Sequence, residues 1–471
     1  MLFNSVEFFL FLPVVAFFYF ITPVRWRWLI LLLASYGFYM YWRADYAILI
    51  AISTTVDYLI ALKMGAIAEK GKRKKWLWIS LLVNLGLLSC FKYLNFFSDS
   101  INLLLHVIGL SPRLPESNLL LPIGISFYTF QTLSYSIDVY RGRIQPETHF
   151  GKFALFVSFF PQLVAGPIER AKSLLPQFSF QFQYDHERIK NGCLLILAGL
   201  FKKVVIADRL AEYIQFVYAN PAQQSGGDAL IATYFFAIQV YCDFSGYSDI
   251  AVGAAQILGI KLSENFKRPF HGQSLQEVWS RWHVTLIAWF RDYLFIPLAR
   301  QQPKRVFINI MVVYLATGLW HGAHAKFLIW GGINGLIIYV ARRLKKEKLG
   351  LNIKWAWLNR FIAFNLFCLS VPFFCAQTTN DAITILHHIF TDFHFSNLAF
   401  RINASYYEMC LAIGALAALE WVHHYQENHG SVRTWLAKQV PWFRWTFYYL
   451  LIFSILLFGW FNAKEFVYFQ F

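Results

Sequence analysis

Charge is scarce in this sequence. Only 14% of its 471 residues are Asp, Glu, Lys or Arg, and the mean hydropathy is +0.45. A chain of this length with so few charges cannot cover a soluble globule with polar surface. Familiar signatures are missing too. There is no CxxC pair, no HExxH and no Gly-rich phosphate loop, which leaves no support for zinc ribbons, thiol redox centres, zinc proteases or nucleotide hydrolases. Gly124-Ile125-Ser126-Phe127-Tyr128 lacks the second glycine of a nucleophile elbow. No 20–50-residue repeat, low-complexity tract or Ser/Gly linker breaks the chain, so residues 1–471 read as one domain. The six cysteines (Cys90, Cys193, Cys242, Cys368, Cys375 and Cys410) lie mostly in apolar runs, and buried free thiols are expected of them rather than a disulfide framework. The N-terminus lacks the positive region and small-residue cleavage site of a signal peptide, so its apolar run is expected to stay as the first membrane helix.

Apolar sequence is plentiful. Hydrophobic residues make up 58% and aromatics 19%, which fits an all-α integral membrane protein with interfacial rings. Candidate spans are Val6–Thr22, Trp26–Trp42, Tyr46–Met64, Trp76–Phe97, Leu119–Tyr140, Gly192–Tyr218, Ala229–Leu258, Val306–His321, Phe327–Val340, Trp357–Ala376, Tyr407–His423 and Phe443–Phe461. Phe153–Val164 and Val284–Leu298 read as half-spans or re-entrant helices. On the order of 11–13 membrane segments are expected at roughly 20 residues per span. The net charge of +16 would suggest nucleic acid in a soluble chain. Here the basic residues cluster in short loops, so the positive-inside rule accounts for them and no nucleic-acid partner is expected. Lys63–Lys75 and Arg342–Lys348 are expected on the cytoplasmic side, with Lys202-Lys203, Lys267-Arg268 and Lys304-Arg305 as weaker indications of the same.

Polar groups at membrane depth are costly, so they mark function or internal pairing. Four clusters stand out between Leu155 and Ala325. In the first, Pro161-Gln162-Leu163-Val164-Ala165-Gly166-Pro167 ends a helix and Glu169-Arg170 follows, which reads as a loop with surface charges. In the second, Asp243-Phe244-Ser245-Gly246-Tyr247-Ser248-Asp249 lies in an apolar helix. Its two carboxylates fall about 120° apart around the axis, so each should meet its own partner on a neighbouring helix. The third is Trp279-Ser280-Arg281-Trp282-His283, followed by Trp289-Phe290-Arg291-Asp292-Tyr293. Read as one helix, it is expected to line a cavity or fill the interior, with Arg281 and Arg291 balancing Asp243 and Asp249. The fourth, Gly318-Leu319-Trp320-His321-Gly322, places an imidazole in the long apolar passage from Val306 to Tyr339. Its glycines allow a close approach of backbone, and Trp320 supplies a flat wall.

His321 and His324 have an i,i+3 spacing, but no third ligand lies nearby in sequence and no metal is expected there. Two histidines in a polar, aromatic interior do suit acyl transfer. A hydroxyl at its ordinary pKa is a poor nucleophile. A neutral imidazole can take its proton as it attacks a thioester, and a second imidazole or an arginine can meet the developing oxyanion.

These motifs resemble those of the membrane-bound O-acyltransferase (MBOAT) family, most of all its bacterial branch of AlgI-like alginate O-acetyltransferases. The DltB-like teichoic-acid D-alanyl transferases are more distant. Leu121-Pro122-Ile123-Gly124-Ile125-Ser126-Phe127-Tyr128, Ala165-Gly166-Pro167-Ile168 and the terminal Phe466-Val467-Tyr468-Phe469-Gln470-Phe471 carry the resemblance across nearly the whole chain. It implies a ring of helices around a central tunnel, with His321 as the catalytic histidine and His283 as its partner. Asp243, Ser245, Asp249, Arg281, Trp282, Arg291, Asp292, Trp320 and Glu169 are then expected to line the tunnel or form a supporting polar network. Ser280 departs from the basic or polar pair often found before Trp-His. The resemblance further implies no bound cofactor. The substrate would be an acyl thioester donor, acetyl-CoA or an acyl carrier, delivered from the cytoplasm. The acceptor would be an extracytoplasmic polysaccharide such as alginate, cellulose or peptidoglycan, often reached through a partner acetyltransferase or esterase-like protein. The setting would be the bacterial inner membrane and its lipids. A polytopic secondary transporter relaying protons through His and Asp is the alternative from another class, although no paired internal repeat supports it.

Overall fold

The computed structural model describes residues 1–110, 114–115, 119–346, 354–395, 406–461 and 466–467. Among these residues there are helices and turns but no strand. Six helices are long and apolar enough to cross a membrane: Ala47–Ala66, Lys70–Val107, Gly226–Ile257, Ala325–Lys345, Ala356–Cys375 and Pro441–Phe458. Val6–Ile21 and Val306–His321 are shorter apolar helices. The protein is therefore an all-α, multi-pass membrane protein, with six helices of full span length among the described residues. Gly192–Tyr218, expected as a span, carries Lys202, Lys203, Asp208, Arg209 and Glu212 and so falls short of a span's apolarity.

The chain packs as two compact units, Met1–Gly192 with Ala254–Ser263 and Gly322–His324, and Cys193–Gly253 with Glu264–His321 and Ala325–Phe471. The first unit contains helices α1 (Val6–Ile21), α2 (Val24–Met40), α3 (Ala47–Ala66), α4 (Lys70–Val107), α5 (Ile125–Tyr140) and α6 (Phe150–Ser158). Lys70 to Lys75 form the first turns of α4, so the expected basic loop is narrowed to the few residues before it. Apolar side chains alone do not fix the register of helices in lipid, so buried polar contacts matter. Asp57 of α3 accepts hydrogen bonds from Ser80 (2.5 Å) and Asn84 (2.8 Å) of α4 and from Ser136 (3.1 Å) of α5. One carboxylate thereby ties three helices. Glu169, expected on a surface loop, is buried, and its carboxylate accepts the backbone N–H of Ser263. The segment is a loop, as its prolines and glycine suggest, but it is not at the surface, because sequence spacing does not show which backbone donors will converge on a carboxylate.

The chain enters the second unit within α7 (His186–Leu200), which runs through a π-helical turn, Phe201–Ala207, into α8 (Asp208–Ala219). Then follow α9 (Gly226–Ile257), α10 (Leu275–Arg281), α11 (Val284–Phe290), α12 (Val306–His321), α13 (Ala325–Lys346), α14 (Ala356–Cys368), α15 (Val371–Cys375), α16 (Thr379–Thr391), α17 (Tyr406–His429) and α18 (Pro441–Phe458). The α7 and α9 backbones touch at Gly199 and Gly246: a Cβ on Gly199 would stand 2.5 Å from the Gly246 carbonyl oxygen, and one on Gly246 2.7 Å from that of Gly199. This contact explains the glycine inside the Asp243–Asp249 motif. The cysteines do not all bury. Cys242 and Cys368 are buried, Cys375 is half-buried, and Cys90, Cys193 and Cys410 lie on outer helix faces.

Candidate active site

The α12–α13 hairpin positions His321. A side chain at Gly318 would collide with the Phe327 carbonyl, and one at Gly331 with that of Tyr314. Only glycines let these two helices approach this closely. His321, the last residue of α12, is thereby held against the start of α13. Its ring lies edge-on to Trp320 (4.8 Å between centroids), Trp330 (5.1 Å) and Phe374 (5.2 Å). It also lines a narrow cavity walled by Phe236, Val240, Trp279, Trp282, Trp330, Phe367, Val371 and Phe374. Among the described residues, His321 is the one titratable side chain on that apolar wall. The Trp279 indole is fixed by its Nε1–H, which donates to Asn334 Oδ1 (3.2 Å), while Asn334 Nδ2 donates to Ser370 (3.0 Å).

His283 is not in the middle of a helix. It sits between α10 and α11 with φ 40 and ψ 53, a left-handed conformation that a non-glycine residue adopts only when its surroundings enforce it. Asn265 supplies the enforcement. Its carbonyl accepts the Val284 N–H (2.9 Å), and its Oδ1 accepts the Thr285 N–H (3.3 Å) and hydroxyl (2.9 Å). The same Oδ1 lies 3.0 Å from His283 Nδ1. An atom that receives a backbone N–H is the amide oxygen, so Nδ1 of His283 must be the donor. The neutral ring is then protonated at Nδ1 and offers Nε2 as an acceptor. Trp320 joins the two histidines, with its ring 4.8 Å from His321 and 6.0 Å from His283. Trp282 is buried among Phe266, Phe270, Trp279 and Phe367.

The charged residues pair differently from the sequence expectation. Asp243 meets Lys203 (2.7 Å), which also reaches Asp208 (2.8 Å). Asp249 pairs with Lys202 (2.7 Å), whose ammonium also donates to Ser245 (2.9 Å). Asp243 and Asp249, about 120° apart on α9, are thus each matched by one of two consecutive lysines. These lysines are carried on the π-helical turn, an irregularity that often accompanies functional sites. They are buried and not part of a basic loop. Asp243 also accepts the Val467 N–H (2.8 Å), and Phe466 packs on Phe244 and Tyr247, so Phe466 and Val467, which open the terminal motif, dock on the Asp243–Asp249 motif. Tyr468 to Phe471 lie outside the described residues.

Arg281 pairs with Glu277 (2.5 Å) and with Glu427 (2.8 Å) of α17, and Arg268 shares Glu427 (2.8 Å). Arg291 is largely exposed and pairs with its neighbour Asp292 (2.8 Å). Neither arginine meets Asp243 or Asp249. The break at His283 turns α11 away from the direction of α10, so one continuous helical face was the wrong template.

Residues 147–346 match the model of the MBOAT, membrane-bound O-acyltransferase family. The chain is 42% identical over 362 residues to the probable alginate O-acetylase AlgI of Pseudomonas putida, covering 75% of this chain and 74% of that protein. The chain belongs to the membrane-bound O-acyltransferase family. It is also 35% identical over 428 residues to the peptidoglycan O-acetyltransferase of Helicobacter pylori, covering 82% of this chain and 79% of that one. The teichoic acid D-alanyltransferase of Bacillus subtilis is more distant, 27% identical over 277 residues, or 56% of this chain and 69% of that protein. This MBOAT protein is an O-acyltransferase, and the transporter reading is set aside.

Proposed function

We propose that this O-acyltransferase takes an acetyl group from a cytoplasmic thioester, acetyl-CoA or an acyl carrier, and passes it across the bacterial inner membrane to a hydroxyl of an extracytoplasmic polysaccharide, with a partner acetyltransferase or esterase-like protein completing delivery. The observation that carries this reading is His321, which among the described residues is the one titratable group on a narrow aromatic cavity. His321 accepts the proton of the attacking hydroxyl. The hydroxyl oxygen bonds to the thioester carbonyl carbon, the tetrahedral intermediate collapses, and the C–S bond breaks. The imidazolium returns its proton to the departing thiolate, so His321 ends neutral. Apolar walls keep water from competing for the acyl carbon.

His283 acts as a positioning partner. Its Nδ1–H is committed to Asn265, which makes Nε2 an acceptor. A neutral ring in that tautomer cannot donate to an oxyanion from Nε2. It is suited instead to orient an N–H or O–H of donor or acceptor. Alginate, peptidoglycan and cellulose are the acceptors to try, since two of the similar proteins are named for alginate and peptidoglycan. The test is reconstitution in proteoliposomes with acetyl-labelled acetyl-CoA on the face of the basic loops and each polysaccharide on the other. Alkali-labile label on a polysaccharide supports the proposal. Transport of an intact solute without ester formation contradicts it.

A further inference from the structure

Helix α17 presents a polar stripe to the segment that precedes His283. Glu427 takes Arg268 and Arg281, as described above. On the same side, Glu420 and His423 are three residues apart and rise from one helix face. His271, in the short helical turn Pro269–His271, faces them. His271 Nε2 lies 2.9 Å from Glu420 Oε1, and His423 Nδ1 lies 4.0 Å from Glu420 Oε2. All three ligand atoms fall within 4.8 Å of one another.

We propose that His271, Glu420 and His423 form a binding site for a divalent transition ion of the zinc class. Two imidazoles and one carboxylate are a borderline-soft donor set that suits zinc better than calcium or magnesium. Ligand bonds of about 2.0–2.2 Å around a tetrahedral ion put neighbouring donors roughly 3.3 Å apart. The two imidazoles approach the carboxylate to 2.9 Å at Oε1 and 4.0 Å at Oε2, and the three ligand atoms lie within 4.8 Å of one another, so side-chain rotations bring the donors into register. Both imidazoles are buried, which holds their rings in place. The Glu420 side chain is 64% exposed, so an ion can enter from solvent and keep water in its fourth position. An outer contact is already built: the Tyr241 hydroxyl lies 3.1 Å from His423 Nε2, and with Nδ1 on the ion that nitrogen would donate to Tyr241. The ion would fasten α17 to the 265–283 segment beside the Glu427 pairs, remote in role from the acid–base work of His321. This site does not depend on the acceptor or donor proposed above.

The test is titration of zinc chloride into the full-length protein in detergent, without a polyhistidine tag. The expected result is one zinc per chain, a rise in Tm that EDTA reverses, and visible absorption bands when cobalt(II) replaces zinc. Loss of an outer-shell partner alone typically costs about 10–100-fold in metal affinity, so Glu420→Gln, His271→Ala and His423→Ala should each weaken zinc binding by at least about tenfold. Glu420→Gln changes an exposed side chain and is expected to fold even if the histidine variants do not. No stoichiometric binding, or unchanged zinc affinity in Glu420→Gln, overturns the site. Either result would leave the acyltransferase reading standing.

Discussion

Lys203 Nζ lies 2.7 Å from Asp243 Oδ1, and both side chains are only 1% exposed. A charge pair this deep is not a strong stabiliser in itself, because desolvation offsets most of the attraction. Breaking it is costly, since it strands one charge, typically by about 3–5 kcal/mol. Lys203→Ala and Asp243→Asn should each lower Tm in detergent by several degrees, and Lys203→Met with Asp243→Leu should cost less than the sum of the single changes. Unchanged melting in both single variants would refute the pairing.

Asn265 is expected to act through His283. Removing its side chain frees the His283 ring to adopt the other tautomer and releases the left-handed turn. Asn265→Leu should lower kcat by about 10²-fold, a loss typical of misplacing a catalytic group by about an ångström. Asn265→Asp keeps the acceptor oxygen and should recover part of that loss. A purely structural role would give equal activity loss in both variants, tracking their folded yield.

Glu427 predicts a pH dependence. Burial raises its pKa, but hydrogen bonds from Arg268 and then Arg281 outweigh that effect and hold the carboxyl at about 2, below its ordinary 4.5. A depressed folded pKa means that this contribution is complete above the ordinary value and is lost as pH falls towards the folded one. Tm should therefore drop more steeply for the parental protein than for Glu427→Gln between about pH 5 and pH 2. Parallel curves would contradict the pairing.

The basic start of α4 is expected in the cytoplasm on charge density. With the outward-facing Cys90, Cys193 and Cys410 replaced by serine, a cysteine at Gly71 should resist an impermeant thiol reagent in intact cells and react after lysis. Ready labelling in intact cells would reverse the orientation, and the direction of acyl transfer with it.

The sequence showed where the unusual groups lie, but not whom they meet. Val306–His321 was legible to the residue because an apolar run ends at a histidine flanked by glycines, and the Gly318–Phe327 contact is the close approach those glycines suggested. Lys202 and Lys203, inside the expected span Gly192–Tyr218, count in the sequence only as a weak indication of the cytoplasmic side, because a lysine pair in an apolar run looks the same whether it faces water or two carboxylates on another helix. Arg281 and Arg291 were assigned to Asp243 and Asp249 on sequence proximity, yet the actual partners, Glu427 and Asp292, are chosen by the chain break at His283. That break carries no glycine or proline to announce it. Asn265 and Asn334 were missed for a related reason: an isolated asparagine has no spacing signature, and each acts through a ring contributed by another segment.

The central claim is that His321 is the base that activates the acceptor hydroxyl. The most direct measurement is single-turnover acyl transfer from labelled acetyl-CoA by His321→Ala in proteoliposomes, with folding checked by Tm and gel filtration. General-base catalysis is typically worth about 10²–10⁴-fold, so the account predicts a fall of that size with Tm little changed. A well-folded His321→Ala protein that acylates at the parental rate would contradict the account.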